Sequence, residues 1–250
     1  MNTNFKFNSI ADAINKGEKK SKIKKSDLLI SFSYSNAKLK DTKEVKFIQW
    51  NILSIVTCPF RTNLCGGKDK NGKVNCYAYK CERYPSVKNR RSIHTEATKR
   101  DNFVKIMIEQ IEYELKSTKK TIFFRIHESG DFYNYEYLEK WYFIAKHFEG
   151  NNRIIFEAYT KSLPYFKELY AKYGKDNVNI KVLSSIWADT KKEMIELTKE
   201  LNLKVYTAIE GEKMSEFLNN NKDFEECKCS ACGECKKCYT SNINLIVAIH

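Results

Sequence analysis

The sequence predicts an α/β protein built on a parallel sheet of six strands. Two observations carry that prediction. From residue 46 onward, apolar strand-like runs alternate with stretches of helical periodicity, and such βα alternation implies parallel strands joined by right-handed crossovers. The chain also has only 3 Pro and 9 Gly among 250 residues, with no linker and no internal repeat, so the units read as one domain with short appendages.

The elements follow in order. KFIQWNILSIV (46–56) is the first strand. TEATKRDNFVKIMIEQIEYELKS reads as one long helical stretch, because Phe103, Met107, Ile111 and Leu115 recur every four residues as an apolar stripe. TIFFRIHE (121–128) is the second strand, and the helix after it places Leu138, Trp141, Ala145 and Phe148 on one face. RIIFEAYT (153–160) is the third strand, followed by a helix with Ser162 at its N-cap and Gly174 at its end. NIKVLSSIW (179–187) and LKVYTAIE (203–210) are strands four and five, joined by the helix TKKEMIELTKEL, and INLIVAI (243–249) is the sixth. Six units fit an open partial barrel or a doubly wound open sheet, and periodicity does not separate the two. In both, functional groups gather at the carboxyl ends of the strands.

Composition narrows the function classes. No apolar run reaches the roughly 18 residues that a membrane helix needs, and the first 20 residues lack the apolar core of a signal peptide. The expected location is therefore the cytoplasm, with no membrane partner, and there stable disulfides are rare. The formal net charge is +13, from 44 Lys and Arg against 31 Asp and Glu. That balance suits polyanion partners such as nucleic acid, but Lys-rich chains are also basic without binding any. KGEKKSKIKK (Lys16 to Lys25) is the densest run and reads as a solvated arm. Residues 1–40 form a basic arm and lead-in, and residues 41–250 form the folded domain.

Nine cysteines fall in two segments. Clustered thiols in a reducing compartment read as metal ligands. Cys58, Cys65, Cys76 and Cys81 follow strand one, at the functional face. Four thiolates would make a closed centre, whereas Cys58, Cys65 and Cys76 alone would leave one metal position open to a substrate or cofactor. The second group, Cys227, Cys232, Cys235 and Cys238, lies between strands five and six, and the same rule places it at or near the same face. Its CxxCxxC core favours a [4Fe–4S] cluster over zinc, the alternative there; Cys229 is one thiol beyond four-fold ligation. Arg125, His127, Glu128 and Asp131 crowd strand two and its turn, and alternation puts Arg125 and His127 on one face with Glu128 on the other. The bland reading there is a buried Arg–Asp pair bracing the cysteine loop. Tyr159, Thr160, Lys161, Ser185, Trp187, Asp189, Thr207 and Glu210 cap strands three to five. His94 and His147 read as helix-surface groups, and His250 ends strand six as a ligand or an inert terminus. CGGKDKNGK lacks the spacing of a phosphate-cradling loop.

A cysteine loop after strand one and a Gly-containing acidic turn after strand two resemble the radical S-adenosylmethionine (radical SAM) superfamily. That resemblance implies the six-stranded (β/α)6 partial barrel, with three cysteines holding a [4Fe–4S] cluster. It also implies that HESGDF contacts the amino group of SAM through Ser129, Gly130 and Asp131, with Asp131, Glu128 and Arg125 as catalytic candidates. NCYA around Cys76 is similar to the last cysteine and aromatic of that superfamily. Two departures stand out: six residues and then ten separate the three cysteines, and Ser-Gly-Asp replaces Gly-Gly-Glu. More closely, SFSYSNAKL, TCP, CYA followed by YPSV, RIHESGDFYNYEYLEKW, AYTKS and the terminal cysteine run resemble the phage gene-product-eighty-eight family over about residues 31 to 250. The combined expectation is an iron–sulfur enzyme with one or two clusters, SAM as a candidate cofactor, a separate electron donor and a small-molecule or nucleic-acid substrate. The rival is a non-catalytic protein, stapled by zinc or iron–sulfur, that binds nucleic acid through a basic face.

Overall fold

The computed structural model describes residues 31–34, 36, 39–227 and 232–249. The basic run Lys16 to Lys25, Cys229 and His250 lie outside the described residues. Eight strands form one sheet in the order β1-β2-β3-β4-β5-β6-β8-β7. They are β1 (Ser33–Tyr34), β2 (Val45–Trp50), β3 (Thr121–Ile126), β4 (Ile154–Thr160), β5 (Lys181–Ile186), β6 (Lys204–Glu210), β7 (Phe224–Glu226) and β8 (Asn244–Ile249). β1 pairs antiparallel with β2, and every other pairing is parallel.

All six strands read from the sequence are present, as β2 to β6 and β8 of one mostly parallel sheet. From β2 to β6 and on to β8, spatial order follows chain order. A doubly wound sheet reverses direction at a central switch point, whereas here the order runs one way until the edge, where β7 lies outside β8. With right-handed crossovers, unidirectional winding puts the connecting helices on a single face. That face carries the main core: Trp50, Phe124 and Phe156 from the sheet meet Phe103 and Met107 of α3 (Phe103–Ser117), Trp141 of α4 (Tyr135–His147) and Phe166 of α5 (Leu163–Tyr173). Deleting a ring of this kind, such as Trp141, costs roughly 3–5 kcal/mol. The opposite face carries Phe47, Phe123, Gln49, Arg125, Glu157 and Tyr159, and Cys232 and Cys238 of the second cysteine group pack on it.

Several sequence readings are corrected. The long helical stretch is two helices, α2 (Pro85–Ala97) and α3, with a turn between them. Lys140 Nζ donates to the carbonyls of Thr98 (2.7 Å) and Arg100 (3.1 Å), satisfying acceptors that the break sets free. His94 is not at the surface. It is 1% exposed, stacks on Trp50 with centroids 4.2 Å apart, and its Nδ1 lies 2.8 Å from the Asn51 carbonyl, so burial holds its pKa down to about 4. His147, by contrast, meets Glu112 on the half-exposed flank of α4. Ser162 stands at the N-cap of α5, but its hydroxyl donates to the Phe132 carbonyl instead of capping. Gly174 ends that helix with φ +79°, as its position predicted. Described residues of the lead-in segment join the folded domain, since Phe32 and Leu39 are buried and β1 extends the sheet.

Candidate functional site

The first cysteine group is held by a chain of hydrogen bonds that ties together the carboxyl ends of four strands. Beyond β2, the Asn51 side chain accepts from the backbone N–H of Glu128 (2.7 Å) and Ser129 (3.0 Å), and Ser129 Oγ donates to the Ile52 carbonyl. Gly130 has φ +86°, and a Cβ there would lie 2.3 Å from Ile52 Cγ1 and 2.7 Å from Thr57 Oγ1. Only glycine lets the turn after β3 press onto the loop that carries Cys58. Asp131 ties β3 to β4: Oδ1 accepts from Thr160 Oγ1 (2.6 Å) and Phe132 N (2.8 Å), and Oδ2 accepts from Lys161 N (2.9 Å). Lys161 Nζ then donates to the carbonyl and hydroxyl of Ser185 at the end of β5.

The unusual cysteine spacing is absorbed by a hairpin. Lys68 and Val74 form an antiparallel bridge, and the Asp69 carboxylate accepts from Asn71 N and Lys73 N in the turn. Asn75 N reaches back to the Gly67 carbonyl at 2.9 Å. The ten residues after Cys65 therefore fold on themselves, and Cys76 returns to the side of Cys65. Cys76 is the N-cap of α1 (Tyr77–Cys81), and the Tyr77 hydroxyl donates to the Glu128 carbonyl.

Cys58, Cys65 and Cys76 line one cavity of about 100 Å³ with Glu128, Ser129, Gly130 and Asp131. Tyr159, Lys161 and Ser185 also line it; the sequence marked them as strand caps without placing them in the site. Cys81 is exposed and lies outside this lining. Burial pushes the Cys58 and Cys65 thiols up, with Asp131 adding to the shift at Cys58 and Lys161 opposing it at Cys65. Burial likewise raises Asp131 against its three hydrogen bonds, and lowers Lys161 against the nearby Cys65. Glu128 is the less occupied carboxylate. Its Oε1 accepts from Asn36 Nδ2 at 2.9 Å, and its other oxygen has no hydrogen-bond partner among the described residues. A second cavity of about 580 Å³ adjoins through Arg61, Lys161 and Ser185 and has an apolar wall that includes Phe60, Leu163, Met194 and Leu197.

Arg125 is not in the first cavity, and it makes no pair with Asp131. Its guanidinium lies 4.1 Å from the centre of the Tyr159 ring, on the face where Glu157 is its register partner. Burial works against its charge, yet Tyr159, Tyr77, Tyr239 and Glu157 keep its pKa above the ordinary value. His127 departs from the alternation that would have set it beside Arg125. Its φ of +70° turns the side chain to the helix face, where Nε2 meets the Tyr137 hydroxyl at 2.8 Å. A left-handed histidine next to the site is the kind of local strain that surrounding structure must hold in place.

The second cysteine group lies at the other end of the sheet, not at the carboxyl face. Cys232 and Cys238 pack against Leu39, Val45, Phe47, Phe123 and Tyr239, and Val45 is the first residue of β2. Lys204, the first residue of β6, donates to the carbonyls of Lys237 (2.9 Å) and Ser241 (3.1 Å). The reason is topological. This segment leaves β7 but must re-enter at the start of β8, so it ends at the amino end of the strands. Cys227, Cys232, Cys235 and Cys238 line a cavity of about 270 Å³ there. They are borne on Cys227 beyond β7, α8 (Cys232–Cys235) and α9 (Lys237–Thr240). Burial pushes the Cys238 thiol up to about 12, aided by Glu157 and opposed by a hydrogen bond to Tyr159.

Among the described residues, no three His, Cys, Asp or Glu side chains gather as tightly as one metal ion requires. No described helix is long and apolar enough to cross a membrane. Neither curated proteins nor solved structures returned a match to the chain. The Gene product 88 family does match, over residues 15–241, and the chain belongs to that family.

Proposed function

We propose that the chain is an iron–sulfur protein with two centres, of which the first is the working site of a radical SAM-like enzyme on a partial barrel. The observation that carries this reading is the grouping of three thiols, Cys58, Cys65 and Cys76, in one cavity at the carboxyl ends of the strands, with Cys81 outside it. The donor set fits a cuboidal cluster better than a single zinc. Cluster ligands bind different irons and need not converge on one point, whereas one zinc draws its ligands to bond distance of a single ion. Held by three thiolates, such a cluster supplies an open iron and one electron to a bound sulfonium such as SAM.

The protein's own residues have separable tasks in this scheme. Glu128 lines the cavity, one of its carboxylate oxygens has no hydrogen-bond partner among the described residues, and it is the group suited to receive an ammonium. Asp131, with three donors on it, acts as the brace between β3 and β4 and contributes negative charge. Lys161 places a cation beside Cys65 and balances thiolate charge. The adjoining chamber of about 580 Å³ is within the range of small-molecule sites, and Arg61, Lys161 and Ser185 line both it and the cysteine cavity. At the second site, Cys227, Cys232, Cys235 and Cys238 would hold a second cluster that fixes the chain ahead of β8.

The test is anaerobic reconstitution followed by electron paramagnetic resonance of the dithionite-reduced protein. Adding SAM should change the spectrum of one centre only, and Glu128→Gln should weaken that change. A colourless protein with stoichiometric zinc would end the iron reading and leave the metal-stapled rival. A cluster spectrum indifferent to SAM in both the parent and Cys81→Ala would remove SAM as the ligand.

A further inference from the structure

The segment that delivers the first cysteines also carries a large surplus of positive charge. Residues 61–91 carry nine Lys and Arg against Asp69 and Glu82, a surplus of seven within a chain total of +13. Both acids are already engaged. Asp69 accepts two backbone N–H groups in the hairpin turn, while Glu82, 9% exposed, accepts from Arg91 Nη1 (3.1 Å) and Ser54 N (2.8 Å). Lys68, Lys70, Lys73, Lys80, Arg83 and Lys88 are exposed, and none has an ion-pair partner among the described residues. Several exposed lysines elsewhere do sit in ion pairs, as in Lys99–Glu96, Lys167–Glu200 and Lys192–Glu196. An exposed, unneutralised cluster of this size is an electrostatic footprint for a polyanion.

Its shape and its aromatic content narrow the partner. Lys73, Lys80, Arg83 and Lys88 line a groove of about 660 Å³ together with Tyr79. Tyr79 is 46% exposed and Tyr84 52% exposed, and the Arg83 guanidinium holds Tyr84 by a 2.9 Å bond to its hydroxyl while lying 4.9 Å from its ring centre. Cations that follow a backbone, interleaved with exposed rings on which bases stack, are the elements of single-strand binding. We propose that this groove binds single-stranded nucleic acid. The two rings require unstacked bases, which a duplex does not offer, and a concave cationic groove suits a strand better than a flat lipid surface. α1 joins the groove to the first cysteine cavity, since Tyr79 and Lys80 lie within one turn of Cys76. A bound strand would therefore pass beside that cavity. The proposal stands independently of whether iron is bound there.

Fluorescence anisotropy on the full chain tests it, with fluorescein-labelled oligo(dT) and oligo(U) of roughly 20 nucleotides and a duplex of equal length as probes. Single strands should bind more tightly than duplex, and the dT and U arms distinguish DNA from RNA. Affinity should fall steeply between about 50 and about 200 mM salt, and Lys88→Met should lower the salt slope by about 0.7. Tyr79→Ala should weaken binding by about fivefold or more. Lys80→Glu with Arg83→Glu should abolish it, while Lys192→Glu on α6 (Lys192–Glu200) should leave it unchanged. Unchanged melting temperature and metal content would show that these surface variants remain folded. Binding that survives the double reversal, or that Lys192→Glu reduces equally, overturns the proposal. So does association with phosphatidylserine vesicles in place of oligonucleotides. Colourless protein that binds the strand would defeat the iron reading alone, and iron-loaded protein that does not bind would defeat this one alone.

Discussion

Cys58, Cys65 and Cys76 are delivered by loops laced to four strand ends through side-chain hydrogen bonds, while Cys232, Cys235 and Cys238 ride on two four-residue helices pressed into the sheet. The first group keeps its scaffold without metal, because Asn51, Ser129, Asp131 and Lys161 supply their own ties. The second depends on packing and on ties such as that from Lys204, since helices of one turn are unstable unless packed or ligated. It is also wedged tightly: a Cβ on Gly233 would lie 2.7 Å from the Lys40 carbonyl. A preformed cavity suits exchange of ligands, and a wedge held by metal, as proposed above, would suit stability.

The largest effect should come from breaking the wedge. Replacing Cys232 and Cys235 by Ala should cost most of the soluble protein, because metal binding in such a segment is folding free energy. Expression yield and thermal melting read this directly. Cys76→Ala should instead remove one centre, about four iron atoms, with far-ultraviolet circular dichroism nearly unchanged. Equal collapse of both variants would erase the distinction between the groups.

Between the two sites lies a buried polar layer in which Arg125 faces Glu157. Burial lifts the Glu157 pKa to about 7 from 4.5, with Arg125 opposing the shift. A carboxyl raised in the folded state binds its proton more tightly there than in the unfolded chain. Its stabilising contribution is therefore complete below pH 4.5 and is lost as pH rises through about 7. Glu157→Gln should remove that loss, gaining on the order of 3 kcal/mol relative to the parent between acid and pH 8. Denaturant midpoints at several pH values measure it; parallel pH profiles for variant and parent would place the charge elsewhere.

Much of this architecture was legible in the sequence. The six long strands were visible because apolar runs and helical stripes alternate cleanly, and Phe103, Met107, Ile111 and Leu115 are all buried as their spacing required. β1 and β7, of two and three residues, are too short to have a period. The side-chain reversal at His127 was invisible because a left-handed histidine breaks the alternation on which strand faces are assigned. The hairpin that brings Cys76 to Cys65 did carry a signal, the Asn71–Gly72 pair, a recognised turn dipeptide. The second cysteine group was placed at the wrong end because a loop between parallel strands touches both ends of the sheet, and its last residues belong to the amino end.

A smaller effect sharpens the comparison. Tyr159 lines the first cavity and hydrogen-bonds Cys238 of the second group. Tyr159→Phe removes only the hydroxyl and should cost about 1 kcal/mol, with slower alkylation of Cys238 in the metal-free protein, because the lost bond favours the thiolate. An unaltered rate at Cys238 would show that the hydroxyl does not act on that thiol.

The central claim is that three thiols, and not four, make the first centre. Iron and sulfide analysis of anaerobically reconstituted Cys81→Ala, alongside Cys76→Ala, tests it most directly. The account predicts about eight iron atoms per chain in Cys81→Ala, as in the parent, and about four in Cys76→Ala. A fall to about four in Cys81→Ala would make Cys81 the fourth ligand and contradict the open site.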